Sequence, residues 1–370
     1  MKILVLFTQL FFGVSVNANE IIGSIVKIKG EVSILELGNR EAKKAVEGQK
    51  VTKEASVLTL EKSFIQIVLL DKTQINLGPN SKMVLDQTPT EKIGLISLMK
   101  GALRTNVVKE LGIKDKLYIK TRTAAMGVRG TDFLTNYNPE NKMTNLITFR
   151  GQVAMAKTES MNVTESLGSK EIVLVDSGKF AAISNNLKNV TEPVKLSPVQ
   201  YTGLKLNTEM NNDVKIPKEV FQKELKETIK EYGEISKKEI AENNSAKQEY
   251  DPKNQILKPT AGGFVDLVTG IYVPPTVNAD NYNKDLNIYE LKAEKGEVTD
   301  AGVYVPPKGI VLDAHKGFIV DPKNQNAELH AELKKLNNDI SGQVVKPMKP
   351  KKEDLGDKTE DAYEKYFIKE

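Results

Sequence analysis

The side chains that could do chemistry are few. His315 and His330 are the only histidines, and cysteine and tryptophan are absent. Without thiols there is no thiol nucleophile, cysteine-bound zinc, iron–sulfur cluster or disulfide. A Ser-His-Asp arrangement or a histidine metal site would have to be built from those two imidazoles. His315 sits beside Lys316 in a turn and His330 on a helix among charged neighbours, and neither has a ligand partner near it in sequence. Asp266, Asp300 and Asp313 recur before turns, one to each turn. A calcium loop needs several alternating Asp or Asn within about a dozen residues and a closing Glu, so turn capping is the better account. Gly127-Val128-Arg129-Gly130 has the spacing of a nucleic-acid GXXG clamp or a phosphate loop, but either needs a helix after it. Here a strand, Phe133 to Tyr137, follows. The stretch reads instead as a tight connection in which the glycines supply positive φ. Within it, Arg129 either pairs with Asp132 to pin the turn or grips a carboxylate ligand through its planar fork. Composition alone does not exclude a glycosidase carboxylate pair, but with aromatics at 6% no aromatic-lined cleft is suggested. No catalytic, cofactor-binding or metal-binding residue is assigned, no cofactor is expected, and the chain is read as a non-enzyme.

Charge and length narrow the class further. There are 53 Lys and Arg against 49 Asp and Glu, a net charge of +4. Phosphate binding wants a concentrated basic excess, so no nucleic-acid partner is expected. A chain of 370 residues has room for two domains, or one domain with a long appendage.

Residues 1–18 read as a signal peptide. Lys2 gives the positive start, Ile3 to Val16 the apolar run, and Val16-Asn17-Ala18 the small residues of a cleavage site. The run is shorter than the roughly 20 residues a bilayer needs. No later segment has eighteen consecutive apolar residues, so the mature chain is expected to carry no transmembrane segment. The address is export, to the periplasm or an outer-membrane or cell-surface association.

The elements that must position these residues are strands. Phe64 to Leu70 is an apolar, β-branched run, and short strands follow at Ile75–Leu77 and Met83–Leu85, separated by the turns Asp71-Lys72-Thr73 and Gly78-Pro79-Asn80-Ser81. More are read at Ile25–Ile28, Glu31–Leu35, Val57–Leu60, Ile93–Met99, Ala102–Asn106, Leu117–Thr121, Asp132–Tyr137, Asn145–Phe149, Gln152–Ala156, Ile172–Val175 and Phe180–Ile183. One pattern recurs three times: an apolar strand, a basic residue, a glycine, then a new strand, at Lys29-Gly30, Lys100-Gly101 and Arg150-Gly151. Glycine there permits a bulge or sharp bend, which favours a coiling sheet over a flat one.

Beyond the strands, residues 186–216 read as a polar linker punctuated by Pro193 and Pro198. Residues 217–243 read as an amphipathic helix, with Phe221, Leu225, Ile229 and Tyr232 on one stripe. It is expected to dock on the β unit by that seam. Residues 250–325 hold hairpin-like repeats. Gly263 to Pro275, Val298 to Pro307 and Gly309 to Pro322 each run strand, polar turn ending in glycine, strand and then proline. Tyr272, Tyr304 and Phe318 lie in these hairpins. They are either a candidate interaction surface or packing against the β unit, and the sequence leaves both open. Residues 326–340 read as a short helix and 341–370 as a charged, disordered tail.

The β segment, residues 19–185, resembles the FecR domain family. Ile28-Lys29-Gly30-Glu31-Val32 is similar to the family's opening strand pair, and Asp71 to Ser81 to its "Asp-Gly-Thr/Ser … Leu … Pro-Asn-Ser". The most specific match is Ile119-Lys120-Thr121 with Gly127, Val128, Arg129, Gly130, Thr131, Asp132 and Phe133, followed by Phe149-Arg150-Gly151-Gln152-Val153. Lys72, Arg122 and Asp132 depart from the family's Gly, Pro and Glu. The resemblance implies a β-rich, partly solenoid-like periplasmic module that binds partners and catalyses nothing. The family's founding member is an anti-sigma regulator with a cytoplasmic head and one membrane span. A signal peptide leading directly into the β unit implies that neither is present here.

The expectation is an all-β N-terminal domain, a twisted, solenoid-like sheet or sandwich, with a mixed helical and hairpin, partly disordered C-terminal region. In function it is an exported, non-enzymatic protein-binding or scaffold module of a Gram-negative bacterium. Its partner would be an envelope protein or a cell-wall polymer. The alternatives are a component of an envelope signalling relay and a polysaccharide binder.

Overall fold

The computed structural model describes residues 20–87, 94–108, 117–158, 163–168, 171–232, 249–251, 253–275, 282–283, 288–289 and 296–323, with positions 333, 337 and 340. The signal-peptide reading, His330, residues 233–243 of the long helix and the 341–370 tail lie outside the described residues.

The strands run in chain order as β1 (Ile21–Lys29), β2 (Val32–Leu35), β3 (Lys43–Lys44), β4 (Lys50–Thr52), β5 (Ser56–Thr59) and β6 (Phe64–Leu69). They continue as β7 (Gln74–Leu77), β8 (Lys82–Gln87), β9 (Gly94–Asn106), β10 (Leu117–Lys120), β11 (Ala124–Val128) and β12 (Asp132–Asn138). β13 (Met143–Arg150), β14 (Gln152–Lys157), the short helix α1 (Val163–Ser166), β15 (Val173–Asp176), β16 (Lys179–Ile183) and β17 (Val194–Lys195) complete the β unit. Two sheets form. Sheet A has the order β4-β1-β6-β7-β9-β12-β13-β16-β17. Sheet B has the order β3-β2-β5-β8-β9-β10-β11-β14-β15. All neighbours are antiparallel except β9 and β10. β9 belongs to both sheets and joins them into one large sheet that does not close.

The chain changes sheet at short connections, and the backbone turns left-handed at them. Gly30, Gly48, Glu54, Lys62, Asn80, Gly101, Gly130, Gly151 and Gly178 all have positive φ and all stand where the chain passes from one sheet to the other. The three basic-glycine steps of the sequence are among them. Gly101 shows why the residue is glycine. At φ +87° a Cβ would also lie 2.7 Å from the Ser81 Cα, and Ser81 is fixed because its Oγ accepts the Ala102 amide at 2.9 Å. β9 runs through this bend, so the two strands read at 93–99 and 102–106 are one strand bent across two sheets.

Between the sheets lies the main core. Ile25, Val57, Ile65, Ile67, Ile75, Leu77, Ile119, Phe133, Leu146 and Val153 interdigitate there, supplied by alternate positions of both sheets. β12 and β13 do not alternate: apart from their ends every residue is buried. Their outer face is covered as well. That cover comes from α2 (Pro198–Leu206), α3 (Lys218–Tyr232) and a hairpin of β20 (Phe264–Val265) with β21 (Tyr272–Val273), which pack Tyr201, Leu204, Tyr232, Val265 and Tyr272 onto Leu134, Ile147, Phe149 and Phe180. The hairpin of β18 (Glu249–Asp251) with β19 (Ile256–Lys258) lies between α3 and β20 in the chain, and β22 (Tyr282–Asn283) pairs with β23 (Ile288–Tyr289). β24 (Glu297–Val298) with β25 (Tyr304–Val305), and β26 (Ile310–Asp313) with β27 (Gly317–Val320), follow. Tyr304, Ile310 and Phe318 join Phe264, Leu333 and Ile340 in a third cluster.

Three sequence readings change here. Residues 186–216 are not a linker: they hold β17 and α2, and Leu187, Val190, Leu196, Tyr201 and Leu204 are buried. α2 escapes periodicity because Pro198 and Gln200 to Leu204 are all buried, so no single stripe exists. Tyr272, Tyr304 and Phe318 are 1%, 2% and 1% exposed. They are packing and offer no surface, because Tyr272 lies on the chain's own sheet and Tyr304 and Phe318 pack among the hairpins themselves. Gly127 is a strand residue of β11, and only Gly130 (φ +64°) supplies the positive φ of that connection.

Candidate functional site

The outer face of sheet A carries an unusual row of polar side chains. Register places Asn76, Arg104, Leu134, Ile147 and Phe180 side by side across β7, β9, β12, β13 and β16. The next row is Ala102, Asn136, Asn145 and Ala182. Asparagine is disfavoured in strands, and these are buried. Small alanines on either side of the Asn136–Asn145 pair leave a trough.

A loop fills it. The β20–β21 connection, Asp266 to Gly270, turns its carbonyls toward the row. The Nδ2 of Asn138 donates to Val268 O at 2.9 Å, that of Asn141 to Thr269 O at 2.7 Å and that of Asn145 to Gly270 O at 2.8 Å. Asn136 donates to Leu267 O. Four consecutive carbonyls are therefore read by four side-chain amides. The loop is braced from inside: Asp266 Oδ2 accepts the Thr269 amide at 2.8 Å and its hydroxyl at 2.6 Å. Burial raises the Asp266 pKa above its ordinary value, against the opposing pull of those hydrogen bonds. Asp313 caps its turn in the same way, accepting the amides of His315 and Lys316 at 2.9 and 2.8 Å.

Amide-to-main-chain pairing recurs around this seat. Gln200 clamps Val265 at both ends, its Nε2 donating to the Val265 carbonyl at 2.7 Å and its Oε1 accepting the Val265 amide at 2.8 Å. Asn337 does the same to Phe318, at 2.9 and 2.7 Å. Asn207 donates to Ala301 O and Asn76 to Thr208 O. Gln200 and Asn337, which both donate and accept, imitate the edge of a neighbouring strand.

Arg104 is the hub of the first row. Its Nε and Nη2 donate to the two carboxylate oxygens of Asp132 at 3.0 and 2.9 Å. Its Nη1 donates to Leu204 O and Lys205 O, which end α2. The guanidinium lies 4.4 Å from the Phe149 ring centroid. At the far edge, Lys27 and Lys29 reach Glu209, with Lys27 Nζ 2.8 Å from Oε1. Burial pushes the Glu209 carboxyl up, but the two ammonium groups outweigh it and hold its pKa below the ordinary value. Burial also drives the Tyr201 hydroxyl up to about 12.

The motif residues singled out in the sequence stand close by. Gly127 to Phe133 make the passage from sheet B to sheet A. Thr131 and Phe133 are buried, while Arg129 is exposed. Asp132 pairs with Arg104 and not with Arg129 as the sequence suggested, because β9 and β12 are adjacent and put the two side chains within reach. Among the described residues, no group of three or more His, Cys, Asp or Glu is placed to hold a metal ion. Arg104 and the amide row were missed by sequence reading. The signal that could have found them is Asn136 and Asn138 at strand spacing, followed by Asn141 and Asn145.

Residues 55–154 match the family described as FecR protein. The chain carries a FecR domain. The match runs from β5 into β14, and so takes in the crossing at Gly127 to Phe133 and the amide row. The remaining strands complete the same two sheets around the FecR core. Two structures of a "putative anti-sigma factor" from Parabacteroides distasonis ATCC 8503 are similar at 19% identity with a TM-score of 0.29. The alignment covers 35% of this chain and 55% of theirs, so the chain spans about half the length of the structures it matches. A "cell surface anchoring domain" is similar at 22% identity over 18% of this chain and 87% of that one, with a TM-score of 0.17. No curated protein matches the chain. Among the described residues, no helix is long and apolar enough to cross a membrane.

Proposed function

We propose that this chain is an exported, non-enzymatic module of the cell envelope whose FecR sandwich is a rigid frame for holding a partner protein. The observation that carries the reading is the FecR match over the centre of the sandwich, a family that works in signalling with partner proteins. The use of the buried charges agrees with it. Arg104 and Asp132 are spent on each other and on α2, Glu209 on two lysines, and Asp266 on its own loop. Groups locked in this way brace a structure, and a catalytic acid or base has to remain available to a substrate. The leader at residues 1–18 supports export.

Crosslinking in intact cells, followed by identification of what is captured, tests this. One envelope protein recovered reproducibly is the expected result. Retention on purified sacculi with no protein captured would move the reading to a wall-polymer binder. Recovery of the chain from the cytosol with its leader intact would refute export. Turnover in a hydrolase screen that disappears on neutralising one carboxylate would refute the non-enzymatic part.

A further inference from the structure

The amide row is only half satisfied. Asn136 and Asn145 face each other as cross-strand partners on β12 and β13. Both donate their Nδ2 to the docked loop, yet the Oδ1 of each is buried without a hydrogen-bond partner among the described residues. Asn138 and Asn141 differ, because their Oδ1 atoms accept the Glu140 and Met143 amides of the adjoining turn. The docked loop offers carbonyls only. A polypeptide offering N–H as well as C=O would satisfy both halves of the pair, as Val265 does for Gln200 and Phe318 does for Asn337. A buried acceptor left unpaired is costly, so the present occupant is not the best one the row can take.

We propose that the Asn136–Asn145 row is a polypeptide main-chain-binding seat, and that the hairpin Phe264–Val273 is its resident latch, exchangeable for an extended segment of a partner protein. This rests on the reading of the chain as a protein-binding module. Recognition is by backbone: the atoms read are carbonyls 267 to 270, while the Val268 side chain is 78% exposed. The latch has two aromatic anchors: Tyr272, which stacks on Phe180 at 5.2 Å, and Phe264, which stacks on Tyr304 at 6.1 Å. Hydrogen bonds between amide side chains and carbonyls are exchanged for water at small net cost when the hairpin lifts. The sandwich core has no such exchange and stays shut. Opening of the hairpin alone exposes Phe264, Val265, Ile271, Tyr272 and Val273, far less buried apolar surface than opening the sandwich, and is the expected lower-energy event.

Amide hydrogen exchange on the full chain tests the latch. In the unmodified chain the amides of 264–273 should exchange faster, as a unit, than those of β6 and β9. Gly270→Val, which puts a Cβ 3.0 Å from Asn145 Nδ2 at φ +75°, should raise that exchange at least tenfold and leave β6 and β9 unchanged. Exchange of hairpin and sandwich in one common event, or a parallel rise in both, overturns the latch. The seat is tested by adding an N-acetylated peptide of residues 263–275 to the Gly270→Val chain. The side-chain amide resonances of Asn136, Asn138, Asn141 and Asn145 should shift, and Asn141→Ala with Asn145→Ala should abolish the response of the remaining two. No shift overturns the seat. Capture of a partner in cells does not depend on this face, so the module reading can stand or fall separately.

Discussion

Arg104 holds Asp132 by two parallel hydrogen bonds, 3.0 and 2.9 Å, across the boundary of β9 and β12. The same guanidinium ends α2 by donating to Leu204 and Lys205. One residue thus ties the FecR sandwich to the segment that covers it. Arg104→Lys keeps the charge and loses the fork. We expect it to destabilise the chain by about 3 kcal/mol, the scale for breaking a buried pair. Arg104→Met with Asp132→Leu should recover part of that loss, because no charge is left stranded. Urea denaturation of the three chains checks the order.

The crossings between sheets predict different costs at two glycines. Gly101→Ala meets Ser81 and a positive φ together, for a loss of roughly 3 kcal/mol from strain and overpacking. Gly48→Ala has the same handedness (φ +82°) but open space around it, so only the backbone term remains, about 1 kcal/mol. Thermal unfolding of both variants should separate them clearly.

Gly203 lies inside α2, where glycine to alanine ordinarily stabilises by about 1 kcal/mol. Here a Cβ would meet the Gly302 backbone and lie 2.8 Å from the Asp300 carbonyl oxygen. The expected sign is therefore reversed: Gly203→Ala lowers the melting temperature and loosens the β24–β25 hairpin, seen as faster amide exchange there.

Acid should act on the cover in two opposite ways. Glu209 has a lowered pKa, so the stability from its lysine clamp is complete above the ordinary Glu range and is lost as pH falls through the folded value. Asp266 has a raised pKa. Its buried charge opposes folding above that value, and the penalty is relieved as pH falls through it toward the ordinary Asp range. Exchange followed as pH is lowered should show the Phe264–Val273 hairpin tighten and the Glu209 contact weaken. Glu209→Gln should remove the weakening and leave the tightening of the hairpin.

Much of the frame was legible in the sequence because it is set locally. A left-handed backbone position needs glycine, or one of the few residues that tolerate it, and Lys29-Gly30, Lys100-Gly101 and Arg150-Gly151 mark three of the crossings in plain text. The hairpins announced themselves through a turn that ends in glycine, and Gly270, Gly302 and Gly317 all have φ +75°. α3 showed its stripe, with Phe221, Leu225 and Tyr232 buried, while Ile229 is half-buried and Thr228 takes the remaining buried place.

What covers what was decided only in three dimensions. Asn136 meets a carbonyl 131 residues away and Lys27 meets Glu209 across 182 residues. A main-chain carbonyl carries no residue-specific mark, so nothing in the order of letters says which asparagine will read it. For the same reason Arg129 looked like the partner of Asp132 until sheet register brought Arg104 beside it, and Tyr272, Tyr304 and Phe318 stayed ambiguous until the chain folded back and supplied its own second surface.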